Sequence, residues 1–150
     1  KPTDSFLYML AMNTFTMNTS MNPFENTLSS DKLFNKQAEV IQEIADKDDC
    51  IIVGRCAGYI LRDEPKCVRI YISADKDFRT KRIMASDHLD EKEAQKKIHS
   101  MDKKRDSYFG YYAGQDWKAC HTYDLAISTS ALGIDKAVDL ICQYIDIKFK

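Results

Sequence analysis

The chain has 150 residues, of which 44% are apolar and 30% charged, with a formal net charge of -1 and a sequence pI near 6.3. That composition is typical of one soluble globular domain, and a charge so near balance supplies no overall field to draw the protein to nucleic acid or to an anionic membrane surface. Any site for a polyanion must therefore be local.

Within the uncharged stretch 5–24 the continuous apolar run covers only residues 6–12, far short of the ~20 apolar residues that a membrane-spanning helix requires. The five cysteines, Cys50, Cys56, Cys67, Cys120 and Cys142, are odd in number and form no CxxC pair. Lying mostly in apolar runs, they read as reduced core thiols of a cytoplasmic protein. The three histidines are scattered, which argues against a zinc site.

Residues 1–30 are rich in Asn, Thr, Ser and Met and contain no glycine. They read as a short helix or strand around residues 6–12 followed by a mobile loop. A helix is expected to start at Ser30 or Asp31, either of which can cap it, with Phe34, Ala38, Ile41 and Ala45 on one stripe. It ends in Asp46-Lys47-Asp48-Asp49. The next residues, 50–53, are CIIV, too few for an ordinary helix but enough for a strand buried on both faces. Gly54 and Arg55 follow at once. Ligands commonly bind where a buried parallel strand ends, and there Gly54 would permit close approach while Arg55 offers a planar fork of donors. The competing reading is a surface Arg55 paired with a carboxylate.

Residues 57–61 read as a helical turn closed by Arg62-Asp63-Glu64-Pro65, because proline forces an exit. Residues 67–72, CVRIYI, have the β-branched and aromatic content of a second strand. Asp75 is placed to cap a helix carrying Phe78, Arg79, Lys81, Arg82 and Ile83. Strands and helices alternating at these intervals predict a parallel sheet covered by helices.

Asp90 with Glu93 forms a capping box, and the helix after it carries the stripe Ala94, Ile98, Met101, Arg105, Tyr108 and Tyr112. A guanidinium on a packed helix face needs an acceptor. For Arg105 that acceptor is either a ligand phosphate or a protein carboxylate such as neighbouring Asp106. Tyr108, Tyr111, Tyr112 and Trp117 either stack on a base or belong to the core. Residues 123–128, YDLAIS, read as a third strand, residues 129–133 as a turn, and the last helix presents Ala137, Leu140, Ile141, Tyr144 and Ile145 on one face.

Three segments together resemble the cytidylate kinase-like family of P-loop phosphotransferases: CIIVGRCAGYIL, the basic run Arg79-Thr80-Lys81-Arg82, and YDLAISTSALGIDKAV. The most family-specific part is DKKRDSYFGYYAGQDW, which begins at Asp102. The resemblance covers residues 1–144. It implies an α/β fold, a three-layer sandwich with a mostly parallel sheet, in a single domain 1–150 with a lid-like segment around 76–105. It also implies an ATP-dependent, Mg2+-dependent phosphotransferase acting on a small nucleotide or phosphorylated acceptor such as CMP, without nucleic-acid or membrane partners. On this resemblance Gly54, Arg55 and Asp106 belong to the acceptor site. Arg79 and Lys81 belong to a lid that closes over phosphates, Arg82 and Arg105 act on the transferring phosphate, and Leu132 and Gly133 lie where backbone groups hold adenine.

The sequence also departs from the family pattern. No GxxxxGK[ST] phosphate loop occurs in it, and its five glycines never cluster. Residues near Lys1 already match the interior of the pattern, so a strand and phosphate loop are expected ahead of them. Cys56 and Phe109 stand where cytidylate kinases carry an aspartate and an arginine, so the charges that read CMP are not all present. A non-catalytic nucleotide-binding or protein-interaction module that keeps the fold is the alternative reading.

Overall fold

A computed structural model describes residues 23–150, with side-chain surroundings from residue 30 onward. The chain divides into two compact units, residues 1–40 and 41–150. The expectations for residues 1–22 fall outside the described residues.

Helix α1, Pro23–Lys47, begins several residues before the expected Ser30 or Asp31. A proline at the first helical position explains this, since its fixed φ suits a helix and its missing N–H would have no partner there anyway. Residues 50–53 do not form the expected buried strand: they carry no ladder, and Ile51 and Val53 are 94% and 87% exposed. A strand buried on both faces needs a neighbour on its edge. The two strands that do form, β1 (Ile70–Ser73) and β2 (Leu125–Ser128), pair only with each other among the described residues.

Gly54, Arg55 and Cys56 then turn the chain sharply, all three left-handed with φ of 74°, 55° and 56°. Only the first is a residue that adopts this conformation without strain. A Cβ at Gly54 would meet nothing within 4 Å, so the glycine serves the turn rather than a close approach. The turn launches α2, Ala57–Ile60, through the Ala57 amide donating to the Gly54 carbonyl at 3.0 Å.

Strands β1 and β2 run parallel in the register Ile70 to Leu125 through Ser73 to Ser128. Immediately before the paired residues stand Arg69 and Asp124, brought together by that register. Asp124 accepts from the Arg69 amide at 2.7 Å and from its guanidinium at 3.3 Å, while the Asp124 amide donates back to the Arg69 carbonyl at 2.8 Å. Lys148, near the end of the last helix, reaches the same carboxylate at 4.0 Å and donates to the Cys67 carbonyl at 3.0 Å. Burial alone would raise the Asp124 carboxyl, but the hydrogen bonds from Arg69 outweigh it and hold the group below its ordinary value.

The crossover between the strands is a helical hairpin of α3 (Lys76–Asp87) and α4 (Glu91–Ala113). Its short connection contains the expected capping box: Asp90 accepts from the Glu93 amide at 2.8 Å, and the Asp90 amide donates to the Glu93 side chain at 3.3 Å. Asp75 occupies the N-cap position of α3 but makes no side-chain cap bond. Asp87 pairs with Lys97 across the hairpin near this connection. Ala94 and Ile98 of α4 are buried, as is Thr80 of α3.

A 3-10 turn, Cys120–Thr122, leads into β2, and residues 129–133 form a short helix, α5 (Thr129–Leu132), rather than a plain turn. Helix α6, Ile134–Lys148, buries Ala137 and half-buries Ile141 and Tyr144, whereas Leu140 and Ile145 lie exposed. All five cysteines are free thiols. The core reading holds only for Cys56, which is buried, and partly for Cys67; Cys50, Cys120 and Cys142 are exposed because the unpaired segment, the 3-10 turn and the outer side of α6 carry them.

Asp124 ties both strands and the last helix to one carboxylate. Asp124→Ala should therefore lower unfolding free energy by about 1–3 kcal/mol, the usual range for leaving part-buried charged donors unpaired. Urea denaturation checks this, and an unchanged midpoint would contradict it.

Candidate anion-binding site

The parallel strands direct their carboxyl ends toward the first turn of α3 and toward α5. Thr129 donates its hydroxyl to the Ser73 carbonyl at 3.0 Å, and the Asp75 amide donates to the Ser130 hydroxyl at 3.1 Å. Leu132 and Gly133 are thus held, exposed, beside the carboxyl end of the sheet, Gly133 with a φ of 80°.

Arg79 lies in the first turns of α3 and meets Asp102 of α4 in a two-pronged pair at 2.8 and 2.7 Å. The neighbouring guanidinium depresses the Asp102 carboxyl below its usual range, against the opposing effect of burial, with smaller contributions from Arg105 and Lys118. Asp102 raises Arg79 correspondingly.

Arg105 is not on a packed surface. Its side chain is 54% exposed, and its carboxylate partner is Asp102 at 3.5 Å rather than Asp106, which is itself exposed. Helix lengths explain the difference. At 1.5 Å per residue, the 12 residues of α3 span about 18 Å and the 23 residues of α4 about 35 Å. Near Asp102, α4 therefore outruns the helix that covers it, and the periodic stripe continues past its packing partner.

Beyond that point α4 meets the left-handed turn. Arg55 donates to the Tyr108 hydroxyl; burial raises the Tyr108 phenol, the adjacent Cys56 adds to the rise, and Arg55 opposes it. Tyr108 lies one helical turn after Arg105, as Arg105 lies one turn after Asp102. Arg55 with Tyr108, and Arg105 with Asp102 and Arg79, therefore lie in a row along α4, in which two of the three guanidinium groups, Arg79 and Arg105, share one carboxylate. Cys56 is sealed beneath the row, its thiol pushed up to about 11 by burial, and so stands as a neutral group where the family pattern has an acid.

Among the other expected site residues, Lys81 and Arg82 are exposed on α3, and Gly54 opens the turn that carries Arg55. The segment around 76–105 is the helical hairpin, with Lys81 and Arg82 on its first helix and Arg105 on its second. The aromatic residues contact one another: Tyr108 and Tyr112 stack edge to face at 4.9 Å, and Trp117 meets Tyr71 at 5.7 Å. Sequence reasoning missed Asp102 as a partner. The available signal was its place three residues before Arg105 on a helix; the Arg79 contact depends on hairpin packing, which no local spacing reveals.

The sequence pattern of the cytidylate kinase-like family matches residues 1–131. The chain belongs to the cytidylate kinase-like family. Among its relatives, the cytidylate kinase of Sulfolobus acidocaldarius is 31% identical over 110 residues, covering 73% of this chain and 60% of the relative. That of Pyrobaculum neutrophilum is 30% identical over 112 residues, covering 71% of this chain and 60% of the relative. The chain thus spans about 60% of the length of these curated relatives. The crystal structure of an uncharacterized protein from Eubacterium ventriosum superposes with a TM-score of 0.75 at 37% identity, covering 77% of this chain and 73% of that one. The expected α/β architecture agrees with this structural match and with the small parallel sheet and surrounding helices of the described residues.

Because its folded value is depressed, Asp102 contributes stability that is complete above the ordinary carboxylate range near pH 4 and is lost as pH falls through the lowered folded value. The stability gap between the wild type and Asp102→Asn should accordingly shrink between about pH 5 and pH 2. Urea midpoints across that range test it, and a constant gap would contradict the assignment.

Proposed function

We propose that this protein is a nucleotide-dependent phosphotransferase of the nucleoside monophosphate kinase type, moving the γ-phosphoryl group of ATP to a small acceptor such as CMP. The observation that carries this reading is the pair of guanidinium groups, Arg79 and Arg105, around Asp102, on a hairpin that starts just after a parallel strand, in a chain of the cytidylate kinase-like family. Phosphoryl transfer asks a protein chiefly to position two charged reactants and to neutralise the charge that spreads over the transferring oxygens. Arginine suits that task, because its charge is permanent and its planar fork matches phosphate oxygens.

In this reading Arg55 holds the acceptor's phosphate, with Gly54 shaping its turn and Asp106 on the acceptor side. Arg105 and Arg82 neutralise the transferring group. Lys81 and Arg79 lie on the hairpin that serves as the lid of a single domain, and the exposed turn at Leu132 and Gly133 supports adenine through backbone groups. Among the described residues no three His, Cys, Asp or Glu side chains converge on a metal site. In this reading the magnesium ion arrives on the phosphates of ATP. The same reading puts the protein in the cytoplasm, where its five free cysteines would stay reduced.

Two features favour the alternative of a binding module: Cys56 and Phe109 stand where cytidylate kinases carry an aspartate and an arginine. Phosphoryl transfer by the intact gene product, from ATP to a panel of nucleoside monophosphates, separates the two readings. Arg105→Ala and Arg82→Ala should each reduce kcat by about a hundredfold or more. Turnover unchanged in both variants would refute the assigned roles, and ATP binding without any transfer would favour the module.

A further inference from the structure

Asp102 is the one carboxylate in the row, and it treats its two arginines differently. Arg79 gives it both terminal nitrogens at 2.8 and 2.7 Å, with side chains only 33% and 20% exposed, a pair closed on both sides. Arg105 reaches the same Oδ1 through a single contact at 3.5 Å and keeps most of its fork toward solvent. Lys118 adds positive charge nearby, and the Tyr71 phenol lies within electrostatic reach of both members of the pair. A guanidinium occupied at both nitrogens by a part-buried carboxylate has little left to offer a phosphate, whereas one touched at the limit of hydrogen-bond length can turn its donors to an incoming anion.

We propose that Asp102 is a positioning residue for phosphoryl transfer, using Arg79 as a fixed strut between the two hairpin helices and presenting Arg105 to the transferring phosphate. The inference rests on the phosphotransferase reading and refines it: Arg79 acts through Asp102 instead of gripping phosphate. The carboxylate repels phosphate in the ground state while fixing the direction of Arg105, so its removal should affect the chemical step more than binding.

The test is steady-state phosphoryl transfer by the intact gene product from ATP to its best nucleoside monophosphate acceptor. Asp102→Asn, shown to be folded by its melting curve, should lower kcat about tenfold or more, as expected for a misaimed catalytic group, while KM for ATP stays level or falls. Asp102→Glu should recover part of the loss. Should the Asn variant fail to fold, Arg79→Lys carries the test, because it keeps the charge but loses the two-pronged fit, and the same split is expected. An active wild type with Asp102→Asn equal to it in kcat, or altered only by a raised KM, overturns the inference and leaves the phosphotransferase reading standing. A wild type that transfers phosphate to no acceptor overturns that reading and this inference with it.

Discussion

The pair between Arg79 and Asp102 fixes how the rest of the site is disposed. It locks the first turns of α3, which begins just after β1, to the middle of the much longer α4. Beyond Asp102, α4 runs past the end of its covering helix, and there Tyr108 meets Arg55 of the left-handed turn. A different partner for Asp102 would change where Arg105 and Tyr108 emerge. The hairpin connection reinforces this register through its capping box and the pair of Asp87 with Lys97. One end of the hairpin is closed by helix-end chemistry, the other by charge.

Parts of the fold were legible because they rest on local rules. The capping box at Asp90 is a four-residue signal, and the β-branched and aromatic run around Ile70 was enough to mark a strand. Alternation of strand and helix correctly implied parallel pairing. What was not legible depends on neighbours distant in sequence. Residues 50–53 have the composition of a buried strand, yet composition does not supply an adjacent edge, and these residues lie open. Arg105 sits on an apolar period, but a period records which residues share a face and not how far the opposing helix extends. The clamp of Arg69 with Asp124 follows from register, which only pairing reveals.

The site was legible in its residue types more than in its partnerships. Arg55 and Arg105 were both expected near phosphate, and the structure sets both against α4, Arg105 on Asp102 and Arg55 at Tyr108 one turn further on. Asp106, the expected neighbour, takes no part in that pairing. Cys56 puts a buried neutral thiol where the family pattern has an acid, and Arg79 and Arg105 share the single carboxylate of Asp102. The loosely held Arg105, at 3.5 Å from a carboxylate already taken by Arg79, is the physical basis for assigning the site to an anion.

The most direct measurement of this account is an NMR titration of the arginine side-chain Nε–H signals of the intact protein with CMP and with ATP. If phosphate oxygens are gripped by the row, the Arg55 and Arg105 signals move saturably together while that of Arg69, held by Asp124, stays in place. Arg55 and Arg105 signals that remain still at saturating concentrations of both nucleotides would contradict it.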